Sequence, residues 1–253
     1  MPATEPSSHP GPDGEKRARR RAFDALKRAF DIVAAILGGA LLSPVLLAVT
    51  LIVWKDAGRP ILFRQVRAGR AGVPFTILKF RTMDMRDAYC CLDPGGCIGV
   101  QMPVGVRMSR RVEMLRRTGL DELPQLINIL RGEMSFIGPR PLLVRYVPRY
   151  TGEQARRLEV RPGITGWAQV NGRTDVSWEE KLALDVWYVD HRSVPLDLRI
   201  LIETVKATRS GSGYTQSGSA TGLEFLGSGV TPGICPATEL PMEQAAKLGQ
   251  PST

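Results

Sequence analysis

The hydrophobic pattern is dominated by one segment. From Ile32 to Trp54 the chain runs 23 residues without a charge, IVAAILGGALLSPVLLAVTLIVW. About 20 such residues suffice to cross the hydrocarbon core of a bilayer. The run is too long for a signal peptide, and no small-residue cleavage site follows it. Basic residues crowd both ends. Lys16, Arg17, Arg19, Arg20, Arg21, Lys27 and Arg28 precede the run, and Lys55, Arg59, Arg64, Arg67 and Arg70 follow it. The positive-inside rule therefore places both ends on one side, which a straight span cannot satisfy. Ser43-Pro44 interrupts the middle, with Gly38 and Gly39 about one turn earlier. Proline removes a backbone donor and kinks a helix. A neighbouring serine can partly satisfy the freed carbonyl. A helix that enters, breaks near Pro44 and returns to the same face fits these charges better than a straight span.

Beyond Trp54 the periods are shorter. Ile61 to Met83 predicts two β-runs around an Ala-Gly turn, with Phe75, Ile77 and Phe80 as apolar positions. Residues 84 to 105, rich in Cys, Gly, Pro and Met, read as a loop. From Arg107 a helix should bury Met108, Val112 and Leu115, and Gly119 interrupts it. Asp121 then caps a second helix with Pro124 at its third position, Gly132 as its stop, and Leu123, Leu126, Ile127 and Leu130 as its buried stripe. A basic helix is expected through Tyr146 to Glu159. Arg161 to Arg173 reads as a turn and a short extended piece. Ser177 with Glu180 forms a capping box for a helix through Tyr188. A last helix starts near Pro195, with Leu198, Leu201, Ile202 and Val205 on one face.

The expected architecture is thus helix-rich α+β. A disordered leader covers 1–15, a basic and re-entrant membrane helix 16–57, and a small domain with short strands and amphipathic surface helices 58–209. A low-complexity tail, dispensable for chemistry, covers 210–253.

Composition narrows the chemistry. The formal charge is +9, which suits anionic lipid, nucleic acid or a phosphorylated substrate. No helix-turn-helix, zinc spacing or aromatic platform supports nucleic acid. Cys90, Cys91, Cys97 and Cys235 form no disulfide framework and match no zinc spacing. With His9 and His191 as the two histidines, histidine triads and multi-histidine metal centres are nearly excluded. Carboxylates, arginines and a hard metal ion remain.

Asp121-Glu122 is the most suggestive acidic pair. It reads either as a solvated cap or as a reactive pair, since a carboxylate can attack phosphorus and two acids can hold Mg2+. Arg116, Arg117, Arg140, Arg161 and Arg173 are candidate phosphate partners, as are Lys79 and Arg81 at a strand end. Arg140 stands between Pro139 and Pro141, which fix its backbone. Asp185 in a helix is either an ion-pair residue or a metal or substrate ligand. Trp167, Trp187 and Tyr188 either stack on a base or pack the core. His191 reads as a helix-end residue.

Six ordered blocks carry a family resemblance. They are KRAFDIV (Lys27 to Val33), LLSPVLL (Leu41 to Leu47) and GRPILFRQVRAGRAGVPFTILKFRTM (Gly58 to Met83). LRRTGLDELPQLINILRGEMSFIGPRPLL (Leu115 to Leu143), RPGITGWAQVNGR (Arg161 to Arg173) and LDVWYVDHRSVPLDLRILIETV (Leu184 to Val205) follow. Over residues 24 to 209 the chain resembles the bacterial monotopic phosphoglycosyl transferases, which act on polyprenyl phosphate. The resemblance implies a re-entrant helix broken at Ser43 and Pro44, and a catalytic pair Asp121 and Glu122. It implies a UDP-sugar donor, UMP release, a phosphosugar-aspartate intermediate and Mg2+ at Asp121, Glu122 and Asp185. Lys79, Arg81, Arg117, Arg140, Arg161 and Gln169 become the substrate-binding candidates. It further implies the bacterial inner membrane, with the catalytic domain on its cytoplasmic face and no nucleic-acid partner, and it leaves a homodimer open.

Overall fold

The computed structural model describes residues 12–82, 109–172 and 177–210, together with Phe225 and Gly227. Residues 1–11, the loop holding Cys90, Cys91 and Cys97, Arg173 and Cys235 lie outside the described residues.

Helix α1 spans Pro12–Leu41 and α2 spans Ser43–Ala57. The first starts ahead of the boundary expected at Lys16. The two helices meet at an angle of 66°. Among the described residues no single helix is long and apolar enough to cross a membrane, whereas the bent pair together meets that length and composition. The break falls where the sequence puts it. Pro44 has no N–H to offer the Ala40 carbonyl one turn back. The Ser43 hydroxyl donates to that carbonyl instead, at 2.8 Å. Pro44 sits in the first turn of α2, where a missing N–H costs nothing. The ladder resumes as Leu46 N–H donates to Leu42 O at 2.8 Å.

Strands β1 (Leu62–Ala68) and β2 (Pro74–Phe80) form the expected antiparallel hairpin, with Leu62 opposite Phe80 and Arg67 opposite Phe75. Helices α3 (Arg110–Thr118) and α4 (Gln125–Arg131) lie beside it. Both hairpin faces are covered. Phe75 and Ile77 pack with Ala35 of α1 and with Leu126 and Ile129 of α4. Phe80 packs with Val49 and Val53 of α2 and Leu115 of α3.

Helix α4 corrects the expected stripe. Its buried side is Gln125, Leu126, Asn128 and Ile129, while Ile127 and Leu130 are exposed. The reason is Asn128. Its Oδ1 accepts from Leu78 N–H at 3.1 Å, and its Nδ2 donates to Thr76 O at 2.7 Å and Glu133 Oε2 at 2.6 Å. The amide thereby acts as a third strand along the free edge of β2. A buried amide is tolerated only with its partners in place.

Beyond Gly132, β3 (Ser135–Ile137) pairs in parallel with β4 (Gly163–Thr165). The backbones here approach very closely. A Cβ on Gly163 would lie 2.1 Å from Gly138 N, and one on Gly138 would lie 2.4 Å from Arg161 O. Only glycine permits this crossing. The single helix expected over Tyr146 to Glu159 is three short pieces. They are a 3-10 turn Val144–Arg149 containing Pro148, helix α5 (Gly152–Ala155) and a 3-10 turn Arg156–Glu159. A fresh capping box at Thr151 and Gln154 starts α5.

Helix α6 is Trp167–Asn171, α7 is Trp178–His191 and α8 is Val194–Ser210. The Ser177–Glu180 capping box opens α7 as expected. In α8 the expected apolar face is turned outward: Leu198, Ile202 and Val205 are exposed, and Ile200 is buried instead.

A row of polar residues joins α1 to the rest. The Asp31 carboxylate accepts from Ser135 Oγ (3.1 Å) and Phe136 N–H (3.2 Å). Lys27 pairs with Asp197 at 2.5 Å, and Asp24 with Arg192 at 3.4 Å. Arg28 donates to the Ile129 and Leu130 carbonyls at the end of α4, at 2.6 and 3.1 Å. A cation there also complements the helix dipole.

The tail is not wholly peripheral. Phe225 is 1% exposed. Its ring meets Trp178, Tyr150 and Tyr146 at centroid distances of 5.5, 5.8 and 5.9 Å, and its carbonyl accepts from Arg149 at 2.5 Å. Phe225→Ala should destabilise the protein by about 3–5 kcal/mol, the range for emptying a buried aromatic site. Thermal unfolding of the purified full chain checks this.

Candidate active site

Asp121 and Glu122 lie in a 3-10 turn, Leu120–Glu122, between α3 and α4. Gly119 ends α3 in the left-handed conformation at φ 70°, which reverses the chain into this turn. Asp121 therefore does not cap α4; Pro124 occupies that position. Both acids are buried, at 8% and 5% exposure, which excludes the solvated cap.

Their surroundings differ. Glu122 Oε1 meets Lys79 Nζ at 2.5 Å and an Arg140 guanidinium nitrogen at 3.4 Å. Burial pushes the Glu122 carboxyl up, but Arg140 and Lys79 outweigh it and hold it below its usual range. Asp121 Oδ1 is buried with no hydrogen-bond partner. Burial and then the Glu122 charge raise its pKa to about 6, against the pull of Lys79 and Arg116. Two adjacent carboxylates are thus driven apart. One is fixed as an anion, and the other titrates near neutrality, as a group poised for chemistry does.

Three elements deliver these cations. Lys79 comes from β2 next to its end, on the hairpin face that also carries Phe75 and Ile77. Arg116 is the α3 arginine that influences Asp121. Arg117, also a candidate, is exposed on that helix. Arg140 stands on the loop after β3. Gly163 N–H donates to Pro139 O at 3.0 Å, and Arg157 donates to the Arg140 carbonyl at 2.7 Å.

Asp185 is not with the pair. It accepts from Arg157 Nε at 3.0 Å and from a terminal Arg157 nitrogen at 2.7 Å. Burial works against the Arg157 charge, but Asp185 and Tyr150 outweigh it and raise its pKa. Tyr150 accepts an Arg157 contact at 3.1 Å. The metal expectation for Asp185 thus becomes a buried ion pair that braces Arg140 from behind.

The other candidates also spread out. Arg161 Nε donates to Gly132 O at 2.9 Å, and its side chain lines a separate small cavity with Lys27, Arg28, Asp31, Arg70 and Arg192. Arg81 is buried with its guanidinium beside Gly58 at the end of α2. Gln169 Nε2 donates back to Ile164 O at 3.0 Å. Trp167 and Trp187 stack on each other, and the buried Tyr188 donates to Asp197 at 2.7 Å. His191 bonds Trp187 O at the end of α7.

Asp121 and Glu122 offer hard oxygen donors, one with an unpartnered buried oxygen, and this donor set fits Mg2+. Among the described residues no group of three or more His, Cys, Asp or Glu could hold a metal. Asp121 and Glu122 are the residues of this site that could hold Mg2+, with any remaining ligands coming from outside the pair.

Sequence reading missed Arg157 and Asn128, and took Arg67 only as a charge flanking the hydrophobic run. Arg157 is one of two adjacent arginines, and only the fold distinguishes it from Arg156, which bonds Glu153, Glu159 and Asp190 at the surface.

The profile described as Bacterial sugar transferase matches residues 22–211. The chain belongs to the bacterial sugar transferase family. The "Uncharacterized sugar transferase EpsL" of Bacillus subtilis is 48% identical over 205 residues, covering 81% of this chain and 97% of the relative. The "UDP-glucose:undecaprenyl-phosphate glucose-1-phosphate transferase" of Caulobacter vibrioides is 40% identical, covering 74% of this chain and 70% of its own. The "Undecaprenyl-phosphate galactose phosphotransferase" of Salmonella typhimurium is 35% identical over 74% of this chain and 41% of its own. Phe225 lies beyond the residues that the family profile matches.

Infrared difference titration should show an Asp121 carboxyl with a midpoint near 6, absent in Asp121→Asn. Glu122→Gln removes the neighbouring negative charge, which favours the carboxylate, so the Asp121 midpoint should fall. An unmoved midpoint contradicts the coupling.

Proposed function

We propose that this transferase moves a hexose-1-phosphate from a UDP-sugar to polyprenyl (undecaprenyl) phosphate, releasing UMP. The observation that carries the reading is the asymmetric pair: Asp121 buried with an unpartnered oxygen, beside Glu122 held as an anion by Lys79 and Arg140. The names of the Caulobacter vibrioides and Salmonella typhimurium relatives suggest the substrate class.

In this mechanism an Asp121 oxygen attacks the sugar-linked phosphorus. A new P–O bond forms to Asp121, and the bond to the UMP oxygen breaks with its electron pair, so UMP leaves as the anion. An oxygen of polyprenyl phosphate then attacks the same phosphorus. Asp121 leaves with the P–O electron pair and is restored as a carboxylate, and the product is polyprenyl diphosphate-sugar. With a pKa near 6, Asp121 is mostly ionised at neutral pH and needs no separate base. Glu122 keeps Lys79 and Arg140 beside the reacting phosphate, where their charge offsets the developing negative charge. Mg2+, when bound at the pair, would neutralise phosphate charge. Such a product starts exopolysaccharide, O-antigen or other glycoconjugate assembly.

The membrane part rests on the bent helix pair. Leu26, Phe30, Val33, Leu37, Leu41 and Leu51 are all more than half exposed on it, an apolar surface that lipid would cover. The α1–α2 pair enters the inner membrane from the cytoplasm and returns to it, and the exposed face of α8 rests on the headgroups.

Asp121→Asn should reduce UMP release from a panel of UDP-sugars by more than about a thousandfold and abolish covalent labelling by donor phosphate. Normal turnover by that variant removes Asp121 as nucleophile, and no UMP release by the wild type with any UDP-sugar removes the reading.

Single cysteines at Arg20→Cys and Lys55→Cys should react with an impermeant thiol reagent from the same membrane face. Reaction from opposite faces contradicts the re-entrant helix.

A further inference from the structure

Two arginines of the domain, Arg67 and Arg157, stand outside the candidate phosphate partners. They are treated in opposite ways. The Arg157 side chain is 2% exposed and is fully employed, by Asp185, by Tyr150 and by the Arg140 carbonyl. That is how a structural buried arginine satisfies its donors. Arg67 is not so satisfied. Its Nε is buried with no partner. One terminal nitrogen donates to the neutral Gln65 Oε1 at 2.5 Å. Among the described residues no carboxylate lies within salt-bridge distance of it. A guanidinium has five N–H donors in a planar fork, and Arg67 is half-buried with its Nε left without an acceptor, which is costly.

Its charged neighbours make the position less favourable still. Arg140 and Arg145 are close enough to oppose its charge, and Glu122 only partly offsets them. Burial first, then Arg140, lowers the Arg67 pKa to about 10. Glu122 is already engaged by Lys79 and Arg140. Arg67 and Lys79 share one face of the hairpin, since Arg67 stands opposite Phe75 and Lys79 opposite Phe63. Arg140 is an electrostatic neighbour of both. Arg67 and Lys79 thus lie on one hairpin face, and Arg140 and Glu122 act electrostatically on both. A phosphate group would supply what is missing: charge to relieve the repulsion, and oxygens matched to the fork.

We propose that Arg67 is a phosphate-binding residue that, with Arg140 and Arg145, forms an oxyanion subsite beside the Asp121–Glu122 pair. This rests on the transferase reading and adds a residue to it. The shared ligand chemistry is a phosphate oxyanion. It comes either from the donor's diphosphate or from the acceptor's phosphate monoester.

The test uses the full chain with Arg67→Ala and Arg67→Lys. Binding of inorganic pyrophosphate is measured by calorimetry, and KM and kcat are measured for UDP-sugar and for polyprenyl phosphate. Pyrophosphate binding should weaken at least tenfold in Arg67→Ala, and Arg67→Lys should recover part of it. KM should rise at least tenfold for one substrate, with a smaller change in kcat. A rise for the UDP-sugar assigns the subsite to the donor diphosphate, and a rise for the lipid assigns it to the acceptor. Unchanged pyrophosphate affinity in Arg67→Ala overturns the proposal, whatever happens to kcat. If the alanine variant does not fold, Arg67→Lys decides, since a point charge without the fork should still lose several-fold in pyrophosphate affinity. Equal affinity in a folded Arg67→Lys then overturns the proposal. Absence of UMP release by the wild type defeats the transferase reading but leaves the pyrophosphate comparison valid, so the two failures are distinguishable.

Discussion

Glu122 is a carboxylate almost without water, and the domain is arranged to keep it charged. A buried unpaired charge costs several kcal/mol, so its cations must arrive in register. Lys79 reaches it from β2 and Arg140 from the loop after β3. The hairpin register is therefore not free to slip. Asn128 holds the open edge of β2 through Leu78 and Thr76, the residues just before Lys79. Burial first, and then the anionic Glu122 beside it, raise the Asp121 carboxyl pKa to about 6. The environment of Asp121 is thus set in part by the arrangement around Glu122.

Arg140 is set by a longer chain of constraints. The β3–β4 crossing brings backbones together more closely than any side chain allows, which accounts for glycine at 138 and 163. Behind the loop, Arg157 spans from Asp185 to the Arg140 carbonyl. Tyr150 touches both Arg157 and the ring of Phe225. Packing in the C-terminal segment is thus continuous with the loop that presents a cation to the acidic pair. That continuity runs past residue 211, where the family profile ends.

Much of this was legible in the chain. The break at Ser43-Pro44 follows from a missing N–H and a hydroxyl able to compensate. The hairpin, the Gly119 and Gly132 stops and the Ser177–Glu180 box follow from local chemistry. The importance of Asp121-Glu122 came from the motif, and the burial that separates the two acids emerged only in three dimensions. Periodicity failed where its assumption failed. On α4 a buried amide took the place that a hydrophobic count gave to Ile127 and Leu130, and on α8 the apolar face is the outer one. Arginines defeated sequence reading most. Arg117, Arg161 and Arg81 carry the same charge but sit in different places: one is at the surface, one donates to the Gly132 carbonyl, and one lies beside Gly58. Charge type is visible in a sequence; the direction in which a long side chain points is not.

The row Asp24, Lys27, Arg28 and Asp31 has a practical side. It makes α1 part of the domain's own scaffold, not a detachable tether. A shortened chain designed for solubility, beginning after Ala57, would lose the acceptor for Ser135 and Phe136 and the cation for Asp197. It would also leave the last carbonyls of α4 open on one side. The hydrophobic segment cannot be trimmed away to yield a water-soluble version of the same site. Removing that segment to gain solubility would also remove the polar row that holds the interior in place.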